Sequence, residues 1–290
     1  MWQFVAIGLC KGAVYSLVAL GFGLIFRTTR VFHIAHGAIY TLAGFSAYFF
    51  MNHLKWPLIP DVVLSIIFAC LVGILTEAAV YWPLEQRGAS SPVMMISSLG
   101  VYIICVNAIA MVAGNENKTL QYGIDVTTSI GSVVLTRIQI AQLVGAPLVI
   151  AFYWAFLRLT RLGRICRAVA DDSTLAAVLG VRVKGVRISV FAVGSLLAAT
   201  GAILAALDIG IDPQIGFNAL VLAAVACIIG GLHHFIGPAL GGFLLGLIQS
   251  LVAWRIPTKW ESSITFALLI VFLLFRPQGL LGIRKRLEED

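Results

Sequence analysis

An all-α polytopic integral membrane protein is the fold class this sequence predicts, with about eight to nine transmembrane segments, one of them short enough to be a broken or re-entrant helix. Three observations carry the prediction. Apolar residues make up 60% of the chain and charged residues only 11%, a balance that belongs to the bilayer and not to a soluble core. The apolar residues fall in runs of spanning length. Lys and Arg gather unevenly in the turns between those runs. The whole of 1–290 reads as one transmembrane domain.

The first span is Trp2 to Phe26. It lacks a basic leader and a cleavage site, so it is expected to be retained. Lys11 interrupts it, roughly 15 Å along at the helical rise. That lysine either lines a polar path or snorkels to the outer interface. Gly8, Gly12 and Ser16 give the helix small faces for close packing. After a turn bracketed by Arg27 and Arg30, His33 and His36 open a second span running to about Met51. Two histidines with no further ligand in view point to structural hydrogen bonds. Lys55, Trp56 and Pro57 form a short outer loop with an interfacial tryptophan. Val62 to Trp82 is the third span, with Glu77 near its inner end as a partner for a basic residue. Pro83 to Gly88 is an inner loop, and Ser90 to Ala113 the fourth span. The outer loop Gly114 to Arg137 is polar, with a short hairpin or edge at Ser132 to Ile138. The fifth span is Ile138 to Leu157 and the sixth, rich in small residues, Ile188 to Leu207. Leu220 to Gly231 is the short one, followed by Gly237 to Trp254 and Ser263 to Phe275; Pro277 stops the last.

Taking the turns at Arg27/Arg30, Glu85/Arg87, Arg158 to Arg187, His233/His234 and the tail from Arg276 through Arg284-Lys285-Arg286 as cytoplasmic collects fourteen of the 20 basic residues. That asymmetry predicts the N-terminus outside and the C-terminus inside, which nine crossings satisfy. The net charge of +7 therefore reports topology and not nucleic-acid binding. Cys10, Cys70, Cys105, Cys166 and Cys227 show no paired spacing, so neither a disulfide framework nor a metal site is expected, and no cofactor is implied.

The longest polar stretch between spans is Arg158 to Arg187. Within it, Asp172 is a good N-cap and Gly180 a good C′ residue for a short helix. Leu175, Val178 and Leu179 fall on one face of that helix. Two readings stay open on these residues alone: a helix built to dock a partner, or a positive-inside loop with a helical turn resting on the membrane.

A family resemblance now enters. Gly8-Leu9 through Tyr15-Ser16-Leu17-Val18-Ala19-Leu20-Gly21 resembles the opening of the branched-chain amino acid permeases of bacterial ATP-binding cassette importers. Ala35-His36-Gly37 is similar to their second-helix signature. Arg167-Ala168, Asp171-Asp172, Ala176 and Leu179-Gly180-Val181 resemble their cytoplasmic coupling segment. Gly230-Gly231, Gly237-Pro238, Gly241-Gly242 and Phe275 to Leu280 match their C-terminal pattern. The outer loop shows no comparable signature, and His33 stands where a small polar residue such as asparagine is expected.

The resemblance implies a permease that moves branched-chain amino acids into the cytoplasm across the bacterial inner membrane by alternating access. It implies a second homologous permease subunit, two cytoplasmic ATPase subunits and a periplasmic substrate-binding protein. The same scaffold could carry urea, amides or other amino acids. A stand-alone secondary transporter or channel would need a buried ion site, for which Glu77 is the one candidate. The chain has no Gly-x-x-x-x-Gly-Lys-[Ser/Thr] phosphate loop, so ATP hydrolysis would belong to partners. The coupling residues expected are Arg167, Asp171, Asp172, Leu175, Ala176, Val178, Leu179 and Gly180. The path residues expected are Lys11, Gly12, Tyr15, His36, Gly37, Gly201, Gly241 and Gly242.

Overall fold

The structure is a computed structural model that describes residues 1–54, 57–120, 127–131, 133–232, 234–257, 260–276 and 278–281. The expected roles of Trp56, His233, Pro277 and the tail cluster Arg284 to Arg286 lie outside the described residues.

The chain is mainly helical. In order come α1 (Trp2–Thr29), α2 (Ala35–His53), α3 (Leu58–Thr76), a π-helical turn (Glu77–Tyr81), α4 (Trp82–Gln86) and α5 (Ser91–Ala113). A hairpin of β1 (Thr127–Ile130) and β2 (Val133–Thr136) follows. Then come α6 (Arg137–Leu159), α7 (Arg161–Asp171), α8 (Ser173–Val178), α9 (Val183–Ile209), α10 (Ile215–Gly230), α11 (Gly237–Ala253) and α12 (Glu261–Phe275). Among the described residues, five continuous helices are long and apolar enough to cross a membrane: α1, α3 through α4, α5, α6 and α9. Helices α10, α11 and α12 are apolar but shorter.

Helix α1 is the axis of the bundle, packed by α11, α9, α10 and α6. Its contact with α11 is made by small residues. A Cβ on Gly12 would lie 2.9 Å from the Phe243 Cα, and one on Gly242 would lie 2.5 Å from the Ser16 backbone nitrogen. The Ser16 hydroxyl bridges the two helices, donating within α1 to the Gly12 carbonyl or across to the Ala239 carbonyl, each at 2.7 Å. Close backbone approach of this kind replaces the hydrophobic driving force that lipid removes.

Three elements differ from the sequence reading. The third span does not stop at Trp82 but runs through Pro83 to Gln86 as one 29-residue helix. Pro83 has no N–H and its ring would clash with the carbonyl four residues back. The π-helical turn just before it widens the helix and absorbs that clash, turning Glu77 and Tyr81 into the interior. The basic stretch holds two helices and not one, because α7 precedes α8. Helix α7 is amphipathic through Ile165, Cys166 and Val169, and Thr160 caps it by accepting from the Gly163 N–H at 3.0 Å. The hairpin begins at Thr127, earlier than expected, and Thr136 ends it by forming a capping box with Gln139 that starts α6.

Helices α2 and α10 both start inside the bundle. The chain between α1 and α2 is non-helical, yet Val31 and His33 are buried. Non-helical backbone at such depth must be satisfied by protein. Tyr81 donates to the Ser98 hydroxyl at 2.6 Å, which also accepts from the Ala35 N–H at 2.9 Å. Because Tyr81 commits its proton to Ser98, Nδ1 of His33 is the donor to the Tyr81 oxygen at 2.8 Å. His33 thus holds the entry to α2 with a reach asparagine lacks. Gly216, in the first turn of α10, stands against Gly37 in the first turn of α2.

Candidate functional site

The contacts sort the turns into two ends. At one end, Arg27 of α1 pairs with Asp171 of α7 at 3.3 Å and lies 3.8 Å over the Phe235 ring. Leu280 donates its N–H to the Ile229 carbonyl at 2.8 Å, bringing the chain after α12 to the same end. At the other end, Gln3 binds the Val134 backbone, Lys118 pairs with Ile211 as an isolated bridge, and Ser250 donates to the Phe4 carbonyl. Each end carries a candidate site.

The first is helix α8. The Asp172 carboxylate accepts from the Thr174 and Leu175 N–H groups at 2.8 and 2.9 Å, satisfying donors that a helix start leaves open. At the other end Gly180 has φ +85°, its N–H donates to the Ala177 carbonyl and the Val181 N–H to the Ala176 carbonyl, both at 3.0 Å. That is a Schellman closure. Ala176 is buried as the foot of the helix, whereas Leu175, Val178 and Leu179 are 57, 80 and 76% exposed. Three large apolar side chains therefore stand out from a rigid, doubly capped turn. Asp171 ties α7 to α1 through Arg27, and the Arg30 guanidinium reaches the Ala170 carbonyl at 3.5 Å. Arg167 and the buried Cys166 lie on α7. Burial pushes the Cys166 thiol up to about 11. Behind α8, Arg187 of α9 is clamped between Glu77 of the π-helical turn and Glu85 of α4. A partly enclosed polar pocket of about 250 Å³ among Arg30, Glu85, Asp171, Asp172 and Arg187 separates the clamp from α8.

The second site is a cavity of about 810 Å³ near the opposite end, walled by α1, α6, α9, α10 and α12. Its size suits a small-molecule pocket. Val14, Val18, Val221 and Leu222 supply apolar walls, and Lys11, Gln142, Asp208, Gln249 and Glu261 supply polar groups. Lys11 meets Glu261 across the cavity at 2.9 Å. Gln142 donates to the Leu204 carbonyl at 3.0 Å and lies 3.4 Å from Asp208. The first turn of α10, Ile215 to Asn218, also faces the cavity.

Of the residues singled out as path candidates, Lys11 and Tyr15 line this cavity. Gly12, Gly37, Gly201, Gly241 and Gly242 sit at helix contacts, and His36 packs against Gly21 with Nε2 at 3.3 Å from the Val18 carbonyl. Their smallness serves helix packing around the cavity and not its wall. The sequence reading did not single out Gln249, Gln142 or Glu261. The two glutamines interrupt otherwise apolar helices, and that interruption is the signal that marks them.

A bundle of membrane-length helices enclosing a polar-tipped cavity, with a capped apolar helix on its basic end, has the build of a multi-pass membrane permease. The chain belongs to the family described as branched-chain amino acid transport system / permease component, whose pattern matches residues 4–273. It is 31% identical to the high-affinity branched-chain amino acid transport system permease protein BraD of Pseudomonas aeruginosa, over 95% of this chain and 94% of that one. It is 28% identical to the corresponding permease protein LivH of Escherichia coli, over 95% of this chain and 93% of that one. A shorter likeness, 37% over 44% of this chain and 38% of the relative, joins it to the autoinducer 2 import system permease protein LsrC of Yersinia pseudotuberculosis. No solved structure matches.

Proposed function

We propose that this chain is the membrane-spanning subunit of an ATP-binding cassette importer that carries branched-chain amino acids into the cytoplasm by alternating access. Likeness to branched-chain amino acid permeases along almost its whole length supports the substrate class. The observation that carries the coupling role is α8, whose Leu175, Val178 and Leu179 stand exposed on a doubly capped turn. An apolar face held outward from a basic end is suited to a groove on another protein, and the partner expected there is the ATPase.

In this reading residues 158–187 form the coupling segment of a single transmembrane domain. The complete importer contains a second related permease, two ATPase subunits and a periplasmic binding protein, in the bacterial inner membrane. Nine crossings, with α10 a short one, would put the N-terminus outside and α8 inside, in line with the charge bias. ATP-driven closure of the ATPases shifts α8. Its rigid junction to α7 and the Arg27–Asp171 pair pass that shift to α1, and Arg187 passes it from α9 to α3 and α4. The cavity beside Lys11 and Tyr15 is a station on the path. Hydrolysis itself resides in the partners.

The test is ATP hydrolysis by the reconstituted importer, with and without leucine-loaded binding protein, for wild type and for Leu175→Asp/Leu179→Asp. Assembly with loss of stimulated hydrolysis and of leucine uptake is the expected result. Full stimulation and uptake in the variant would remove α8 from the coupling path.

A further inference from the structure

We propose that the Lys11–Glu261 ion pair is a zwitterion-exchange site: an entering amino acid opens the pair, its carboxylate taking Lys11 and its ammonium taking Glu261. This rests on the reading that the chain imports amino acids. The pair crosses the cavity from α1 to the start of α12 at 2.9 Å, and its side chains are 38 and 29% exposed. Such a half-exposed pair is weak and separates at little cost. Gln249, only 3% exposed, lines the same cavity and is linked through the Thr265 hydroxyl to the Glu261 backbone carbonyl. Its Nε2 is committed to the Thr265 hydroxyl at 2.5 Å, and its Oε1 is a buried acceptor with no partner among the described residues. An open acceptor within the same hydrogen-bonded chain as Glu261 is what an ammonium group requires. The valine and leucine walls take an aliphatic side chain.

The charge balance explains why the site holds substrate without trapping it. A lone charge in a membrane cavity is costly, so the empty site neutralises itself. A zwitterion replaces one ion pair by two and leaves neither Lys11 nor Glu261 unmatched, while Asp208, elsewhere on the wall, is held by Gln142 at 3.4 Å. A molecule carrying only the ammonium or only the carboxylate strands one residue of the pair. Binding is therefore selective for the zwitterion and weak enough for release.

The experiment uses the detergent-purified importer without its binding protein, so that selectivity at this site is read directly. Saturation-transfer NMR would compare leucine, leucinamide and 4-methyl-2-oxopentanoate as probes. Wild type is expected to contact leucine in preference to both others. Lys11→Met should shift preference toward leucinamide and Glu261→Gln toward the oxo acid. In proteoliposomes with saturating leucine-loaded binding protein, each variant should lower leucine taken up per ATP at least tenfold. A pair that merely braces α1 against α12 would not change probe preference, and an unchanged preference overturns the proposal. If the single variants fail to assemble, Lys11→Glu with Glu261→Lys carries the test, and loss of leucine preference in that assembled pair counts against exchange. Absence of any leucine uptake by the wild-type importer would instead sink the amino-acid reading, separately from the probe result.

Discussion

Arg187 of α9 donates from Nη2 to Oε2 of Glu77 at 3.2 Å, while its Nε binds the other carboxylate oxygen. The two residues are 3 and 1% exposed, and they join the helix that follows α8 to the π-helical turn of the long α3–α4 span. Buried pairs of this kind add little net stability over an apolar pair, yet each partner depends on the other. Their value lies in fixing which faces of α9 and α3 meet.

Removing one partner therefore tests the clamp. Arg187→Met strands a buried carboxylate and should cost about 3–5 kcal/mol. Arg187→Met with Glu77→Leu should recover most of that loss. Thermal unfolding of the detergent-solubilised protein measures both, and a single variant as stable as wild type would contradict the clamp.

The ends of α8 make a second test. Asp172→Ala should cost about 1 kcal/mol of local stability, whereas Asp172→Asn should be nearly neutral because asparagine caps as well. Gly180→Ala should cost about 1–2 kcal/mol, since its backbone occupies the left-handed region. Hydrogen exchange of the Thr174 and Leu175 amides reads the first pair. Coupled ATP hydrolysis should fall in Asp172→Ala and Gly180→Ala and be kept in Asp172→Asn.

The α1–α11 contact predicts a sharp contrast between glycines. Gly242→Val forces side-chain atoms into the backbone of Ser16 and should cost about 3 kcal/mol or more by overpacking. Gly145→Ala, on α6 with nothing within 4 Å of its added Cβ, should be neutral or stabilising by up to about 1 kcal/mol. Protease resistance in detergent distinguishes them, and equal effects would mean that the helices do not approach as described.

Cys166 gives a chemical readout of α7 docking. With its thiol near 11 and 1% exposed, only ~10⁻⁴ of it is thiolate at pH 7. Maleimide labelling of the folded importer should leave Cys166 unmodified, and labelling should follow unfolding. Fast labelling under native conditions would show α7 to be undocked.

Much of this molecule was legible before any coordinates. The span limits agree with the helices to within a few residues, because lipid length and hydropathy are summed along the chain. Asp172 and Gly180 were legible as caps because capping is local chemistry. Helix α7 has its own local signals in Thr160 and the Ile165, Cys166, Val169 spacing, but the seven basic residues of the stretch mask that period. Pro83 opens an inner loop when read from the sequence, since nothing local reveals that a π-helical turn will carry the helix past it. With the last span starting at Ser263, Glu261 falls outside it, and Lys11 by itself admits two readings.

The sequence by itself determined that the chain is a bundle of membrane helices, where most of those helices begin and end, which turns are basic, and that a short capped helix stands among them. These follow from solvent, period and end chemistry, all local in the chain. Only the tertiary structure decided that Lys11 meets Glu261, that Glu77 meets Arg187, and that the conspicuous glycines serve helix contact while glutamines edge the cavity. Those outcomes depend on which helix faces meet. Partners separated by 110 or 250 positions leave no periodic trace, and their pairing emerges only when close backbone approach sets the rotation of each helix.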